Sequence, residues 1–349
     1  MGEGGVRGSG AIDLKDKILI LADNLTRVSN RYYKYFPYLS LLLGILTVVL
    51  WQRGFEFIRW VFIYLIFIGI TTLVLLRFAK DLPQENRVFS IAVWCIEFIN
   101  QNLYQDLTLF LLPIYYQSST ILSANVIFVI IIAVLSIITT FDNVYRGLIL
   151  KNKITQFLFY TFNLFAFLNF GLPVIFGIRN IYSLYISISL SVLLLAPLFV
   201  DYREIFRRSK AAVIVGMILI SILAISLSKG FIPPVPLKLV TGTASTDIDR
   251  IKKEPIKPFE SRTSKGLETI YCYTSIFAPM GIHETLWHVW KIDGLVIQKV
   301  RQEISGGRRE GYRTWSKKTI SGNNMKGRWT VDVETDGGQL IGRVRFEII

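Results

Sequence analysis

Between residues 37 and 227 the chain spreads only thirteen basic and eight acidic residues over 191 positions, and several stretches there carry none. That charge-poor middle constrains the fold more than any other feature. A hydrocarbon core about 30 Å thick takes around 20 mostly apolar helical residues to cross. Seven stretches meet or approach that length: 37–51, 57–77, 88–113, 122–139, 154–177, 181–200 and 211–227. The flanks differ. Residues 1–36 hold ten charges and residues 228–349 hold 33. With 52% hydrophobic residues and a mean hydropathy of +0.46, a single soluble globule is excluded, as are a disordered chain, a collagen-like repeat and a small disulfide scaffold.

Positive charge in the short connections predicts an orientation. One side collects six Lys/Arg before residue 37, then Arg77, Lys80, Arg87, Arg146, Lys151, Lys153, Arg203, Arg207, Arg208 and Lys210; the other has only Arg53, Arg59 and Arg179. Sixteen against three puts the N-terminus in the cytoplasm and, after seven crossings, residues 228–349 outside it. The bias holds only if 88–113 crosses once. Two half-helices meeting near Asn100 would each be too short to span, and a re-entrant pair would move Arg146 to Lys153 to the other side. No cleavable signal precedes the first apolar run, and Val6 stands where a myristoylation site wants Ser or Thr. Leu14, Ile18, Leu21, Leu25, Val28 and Tyr32 form one helical stripe. It suits either a cation-flanked helix on the inner leaflet or a helix packed on the bundle. Two cysteines, Cys95 in a membrane segment and Cys272 beyond it, predict no disulfide.

The third segment is unusually polar. At 100° per residue Glu97, Asn100, Gln101, Tyr104, Gln105 and Thr108 share a face, with Asp106 at its edge. A carboxylate at membrane depth costs about 2.5–3.5 kcal/mol, so this face should look into the bundle. Two readings stay open: a proton or cation relay or substrate cavity built on Glu97, Gln101, Gln105 and Asp106, and a buried hydrogen-bond network gluing helices with help from Asn163 and Asn169.

Residues 228–262 contain Pro233, Pro234, Pro236, Pro255 and Pro258, which leave little room for helix or central strand. An extended spacer standing a domain off the membrane is expected there. From 263 to 349 the pattern turns to strands. Trp329, Val331, Val333 and Thr335 alternate with polar neighbours, as do Leu340, Gly342, Val344, Phe346 and Ile348, around the Gly-rich turn at Asp336. About six strands in some 85 residues predict a small all-β, immunoglobulin-like sandwich.

The strings Phe231-Ile-Pro-Pro-Val-Pro-Leu, His283-Glu-Thr-Leu-Trp-His-Val-Trp290, Gly311-Tyr-Arg-Thr-Trp-Ser-Lys-Lys318 and Gly327-Arg-Trp-Thr-Val-Asp-Val-Glu-Thr335 resemble a family of uncharacterised bacterial multi-pass inner-membrane proteins that end in a β-rich domain of unknown function. The resemblance implies a bacterial inner membrane and an extracytoplasmic C-terminal domain. It brings no activity with it.

No catalytic constellation, cofactor motif or metal site emerges from the residues. His283 and His288, five apart, fall on opposite faces of one strand; His288 fits a hydrogen-bonded sandwich residue better than a catalyst. The more informative feature is the cluster Arg308, Arg309, Tyr312, Arg313, Trp315, Lys317 and Lys318. Strand parity puts Arg313, Trp315 and Lys317 on one face, and two readings stay open: a platform for a sugar ring or an anionic polymer, and an inward Trp at the sandwich edge with solvated Arg and Lys around it. Together with Trp290 and His288 these are the candidate binding residues. The expected partners are the lipid bilayer and an anionic envelope glycan or periplasmic protein, not nucleic acid. The rival expectation is a channel, transporter or membrane-embedded enzyme working through the polar third segment.

Overall fold

The structure, a computed structural model, describes residues 67, 69–70, 87–199, 210–264, 267–320 and 326–349. The stripe at 14–32, the first apolar segment, all but three helical positions of the second, and Arg203, Arg207 and Arg208 lie outside the described residues. Six α-helices are described: α1 (Arg87–Gln117), α2 (Val126–Thr140), α3 (Asp142–Tyr145, continued by a π turn over Arg146–Leu150), α4 (Lys153–Phe176), α5 (Asn180–Phe199) and α6 (Lys210–Ser228).

By length and composition three of these can cross a membrane: α4, α5, and α6 taken as Ala212–Phe231. A fourth arises only if α2 and the segment Asp142–Leu150, bent by 110° at their junction, count as one. The described residues therefore do not support seven spans. Segment 88–113 lies within one continuous helix of 31 residues, Arg87–Gln117, about 46 Å long, and is not two half-helices. Helix α2 stops early for a local reason. The hydroxyls of Thr139 and Thr140 donate to the carbonyls of Leu135 and Ser136, and such back-bonding in β-branched residues weakens a helix end. Helices α4 and α5 pack as an antiparallel pair. Ser183, Ser187 and Ser191 form a fully buried stripe on α5, and small side chains allow that close approach.

Residues 238–348 form strands β1 (Lys238–Ser245), β2 (Ile248–Asp249), β3 (Glu254–Pro255), β4 (Pro258–Phe259), β5 (Ser261–Arg262), β6 (Thr269–Phe277), β7 (His283–Ile292), β8 (Leu295–Ser305), β9 (Tyr312–Thr319), β10 (Gly327–Thr335) and β11 (Leu340–Ile348). Two sheets result, ordered β4-β1-β6-β9 and β5-β11-β10-β7-β8, with β2 and β3 as a small separate hairpin. Trp290, Trp329, Val331, Val344, Phe346, Ile270 and the free thiol Cys272 fill the core between them. Trp290 meets Trp329 edge-on at 6.2 Å, a favoured aromatic geometry.

The Pro-rich stretch is thus no spacer. Strand β1 pairs along its length with β6, and Pro255 and Pro258 sit in two-residue strands, where a missing N–H is tolerated. A second difference concerns Ile341. Strict alternation sends it to solvent, but a bulge between Val333 and Glu334 turns it inward, and it is buried beside Leu237 and Leu286. On the solvent face of the larger sheet Asp332 is buried between two cations. Its carboxylate accepts from Lys291 Nζ at 2.6 Å and from Arg343 Nη2 at 2.8 Å.

The sandwich sits directly on one end of the bundle. Asn125 Nδ2 donates to Leu340 O at 3.0 Å, Asn180 Nδ2 to Val235 O at 2.7 Å, and Gln339 Nε2 to Ile232 O at 2.9 Å. The buried Glu284 accepts from the backbone N–H of Asn180 at the start of α5 and lies 3.6 Å from Arg179. Arg179 also pairs with Asp336 at 3.1 Å, whose other oxygen accepts from Trp287 Nε1 at 3.1 Å. Gly177 closes α4 at φ 64, and a Cβ there would stand 2.9 Å from the Gly281 carbonyl. Only glycine satisfies both the left-handed cap and that approach.

Candidate functional site

An open groove of about 860 Å³ runs along the side of the sandwich where the edges of β8 and β9 meet. Among the described residues Arg250, Lys317 and Lys318 supply three cations, Tyr271 and Trp315 two rings, and no Asp or Glu lines it. The local sequence explains the arrangement. In β9 Thr314 and Ser316 face the core, which leaves Arg313, Trp315 and Lys317 on the solvent face. Register sets Tyr271 of β6 opposite Lys317 and Tyr273 opposite Trp315, so rings and cations alternate across the strand pair. Arg250 comes from the turn of the β2–β3 hairpin, inside the stretch read as spacer, and sequence reasoning missed it for that reason.

The expected residues divide. Trp315 and Lys317 line the groove. Arg313 does not: it pairs with Glu254 at 3.0 Å and Glu310 at 2.9 Å and donates to Lys252 O. It fixes the hairpin that carries Arg250. Trp290 and His288 are fully buried and cannot meet a ligand directly. They hold the groove floor instead. Trp290 Nε1 donates to Ser316 Oγ at 3.0 Å. Ser316 Oγ also lies 2.8 Å from His288 Nδ1, and His288 Nε2 lies 3.1 Å from Thr274 Oγ1, so a neutral imidazole donates through one nitrogen and accepts through the other. This chain needs a neutral imidazole, and burial pushes His288 down to about 4. A Ser–His contact exists here, but Thr274 stands where a catalytic triad has a carboxylate. His283 is exposed and contacts Ser305. Among the described residues no three His, Cys, Asp or Glu gather to hold a metal ion.

The polar face of α1 packs into the bundle. Gln101 Nε2 donates to Thr139 O at 2.9 Å and Gln105 Nε2 to Thr140 Oγ1 at 3.0 Å. Gln101 therefore satisfies a carbonyl at the broken end of α2, where the last carbonyls lack helical partners, and Gln105 holds the Thr140 hydroxyl beside it. Asn100 Nδ2 reaches Tyr160 at 3.2 Å and Asn169 Nδ2 reaches Tyr115 at 3.3 Å, while Asn163 bonds within its own helix. Glu97 pairs with Arg146 at 3.4 Å, and Arg146 with Asp142 at 3.1 Å, at the bend. Asp106 is half-buried at the edge of the face. The face thus looks into the bundle, as both readings of the helix require.

Comparison with known proteins places a seam within this architecture. Residues 283–348, covering β7 to β11, match the model of a second family, described as protein of unknown function DUF2914. No curated protein matches the chain. The larger match runs over residues 16–274, through the helices and on into β6, and by it the chain belongs to the family of unknown function DUF5924.

Proposed function

We propose that this protein is an integral membrane protein of the bacterial inner membrane whose C-terminal sandwich faces away from the cytoplasm and binds an anionic glycan of the envelope in the groove at Trp315. The groove carries the proposal: among the described residues three cations and two rings line it without a carboxylate. Rings stack on sugar faces, and ammonium and guanidinium groups hold phosphate or carboxylate substituents. The membrane reading draws on the sixteen-to-three bias in basic residues. It draws also on the position of Lys151, Lys153 and Lys210 at helix starts remote from the sandwich, since α4 and α6 begin there and end beside it. Seven crossings, two of them before residue 78, remain part of the proposal.

An immunoglobulin-like type for the sandwich is supported by strand order. Taking β1, β6, β7, β8, β9, β10 and β11 as A, B, C, C′, E, F and G gives sheets A-B-E and G-F-C-C′, with a buried Trp290 on strand C.

Full-length protein in detergent is expected to bind dextran sulfate and not neutral dextran, with affinity falling as salt rises. The pair of changes Trp315→Ala and Lys317→Ala should weaken binding about tenfold or more and leave the melting temperature in place, because both side chains stand on the solvent face. Equal retention of dextran sulfate by variant and wild type would remove the groove as the site.

A further inference from the structure

The loop from β6 to β7 and the loop from β8 to β9 lie side by side at the end of the sandwich that meets the bundle. Gly306 N donates to Ile282 O at 2.8 Å and Gly307 N to Ala278 O at 3.0 Å, and Gly281 abuts Gly177 at the end of α4. Met280 stands on this rim with 81% of its surface exposed. Beside it Arg308 and Arg309 are both exposed. Glu310, the acid of the same loop, is engaged by Arg313 at 2.9 Å, and the Arg308 guanidinium lies 5.2 Å over the Tyr312 ring, which orients it.

The adjoining end of the bundle exposes Tyr116, Leu122, Phe176, Tyr182 and Phe231. That is the composition of a belt at a membrane–water boundary, where rings sit at headgroup level. An exposed thioether flanked by two guanidiniums has a physical use at such a level. The apolar chain enters the acyl boundary while the cations meet phosphates. Arginine suits this because its planar fork binds phosphate oxygens in pairs.

We infer that the rim formed by Met280, Arg308 and Arg309 binds an anionic phospholipid of the leaflet beneath the sandwich. Met280 packs among the acyl chains, and the two guanidiniums hold the headgroup phosphate. The inference rests on the membrane reading above but not on the glycan groove, which opens on the side of the sandwich.

Full-length protein in detergent would be titrated with short-chain phosphatidylglycerol and phosphatidylcholine, with bound lipid counted by native mass spectrometry. The wild type is expected to prefer phosphatidylglycerol. At roughly fivefold per cation near an anionic surface, Arg308→Ala with Arg309→Ala should weaken phosphatidylglycerol binding about 25-fold, with melting temperature and dextran sulfate binding unchanged. Met280→Ser should weaken both lipids. Equal phosphatidylglycerol binding by the double variant, in a chain that still partitions with membranes, overturns the lipid rim alone. Joint loss of dextran sulfate binding overturns it too, by assigning the arginines to the glycan. A chain that stays dissolved without detergent overturns the membrane reading and this inference with it.

Discussion

Asp332→Ala is expected to destabilise the sandwich by about 3 kcal/mol, measured as the shift in denaturant unfolding followed by tryptophan fluorescence. The side chain of Asp332 is only 2% exposed and pairs with Lys291 and Arg343. Removing one member of a buried ion pair costs about 3–5 kcal/mol, because the remaining charge is left without its partner. Here the cations keep 21% and 27% of their side-chain surfaces in water and can resolvate in part, which points to the lower end. Asp332→Asn keeps the shape and loses the charge, and should fall between. Burial alone would raise the Asp332 carboxyl, but the hydrogen bonds from Arg343 and Lys291 outweigh it and hold the group below its usual range. Its contribution is therefore complete above the ordinary aspartate value and lost as pH falls through the lowered one. A variant as stable as wild type at neutral pH would mean that this carboxylate does not hold the sheet face together.

The second large effect belongs to His288 and appears at milder acidity. Its imidazole titrates at about 4 when folded, against 6.5 ordinarily. Between those values the unfolded chain binds more protons, so stability falls as pH drops from about 6.5 to about 4 and levels off below. A shift of that size corresponds to about 3 kcal/mol. Glu284 and Glu334, both pushed up by burial, act with the opposite sign over part of the same window. A comparison with His288→Gln therefore isolates the imidazole. The variant, neutral throughout, should be less stable at neutral pH and lose stability less steeply on acidification. Parallel profiles for the two proteins would contradict a neutral His288 linking Ser316 to Thr274.

What could be read from the sequence followed from periodicity, and what could not depended on pairing. Alternation in 329–335 marked Trp329, Val331 and Val333 as core, and they are buried. Parity in β9 separated Trp315 and Lys317 from Ser316 for the same reason. Ile341 broke the rule because a bulge adds a residue that no alternation announces. Strand β1 was hidden by composition. Lys238-Leu-Val-Thr-Gly-Thr-Ala-Ser245 mixes β formers with Lys, Gly and Ala and follows three prolines, and its neighbour β6, more than twenty residues on, makes it a strand. With β1 misread, the adjoining hairpin and Arg250 stayed out of the site. Arg313 looked like a ligand group because nothing in its own strand shows that Glu254 waits across a loop.

The seam between the two family matches carries a consequence for how such a domain can be passed on. The first match ends inside β6 and the second begins at β7, so the seam runs through the sandwich and not between folded units. A gene fragment encoding residues 283–348 alone would supply β9 without β6 to pair with it, and would leave Trp290, Trp329 and Phe346 facing water on a sheet with no cover. Where the later segment occurs without residues 238–277, other sequence in the same or another chain must supply the missing strands. In this chain they arrive tethered to the last apolar helix, so the sandwich can close only after that helix has been made.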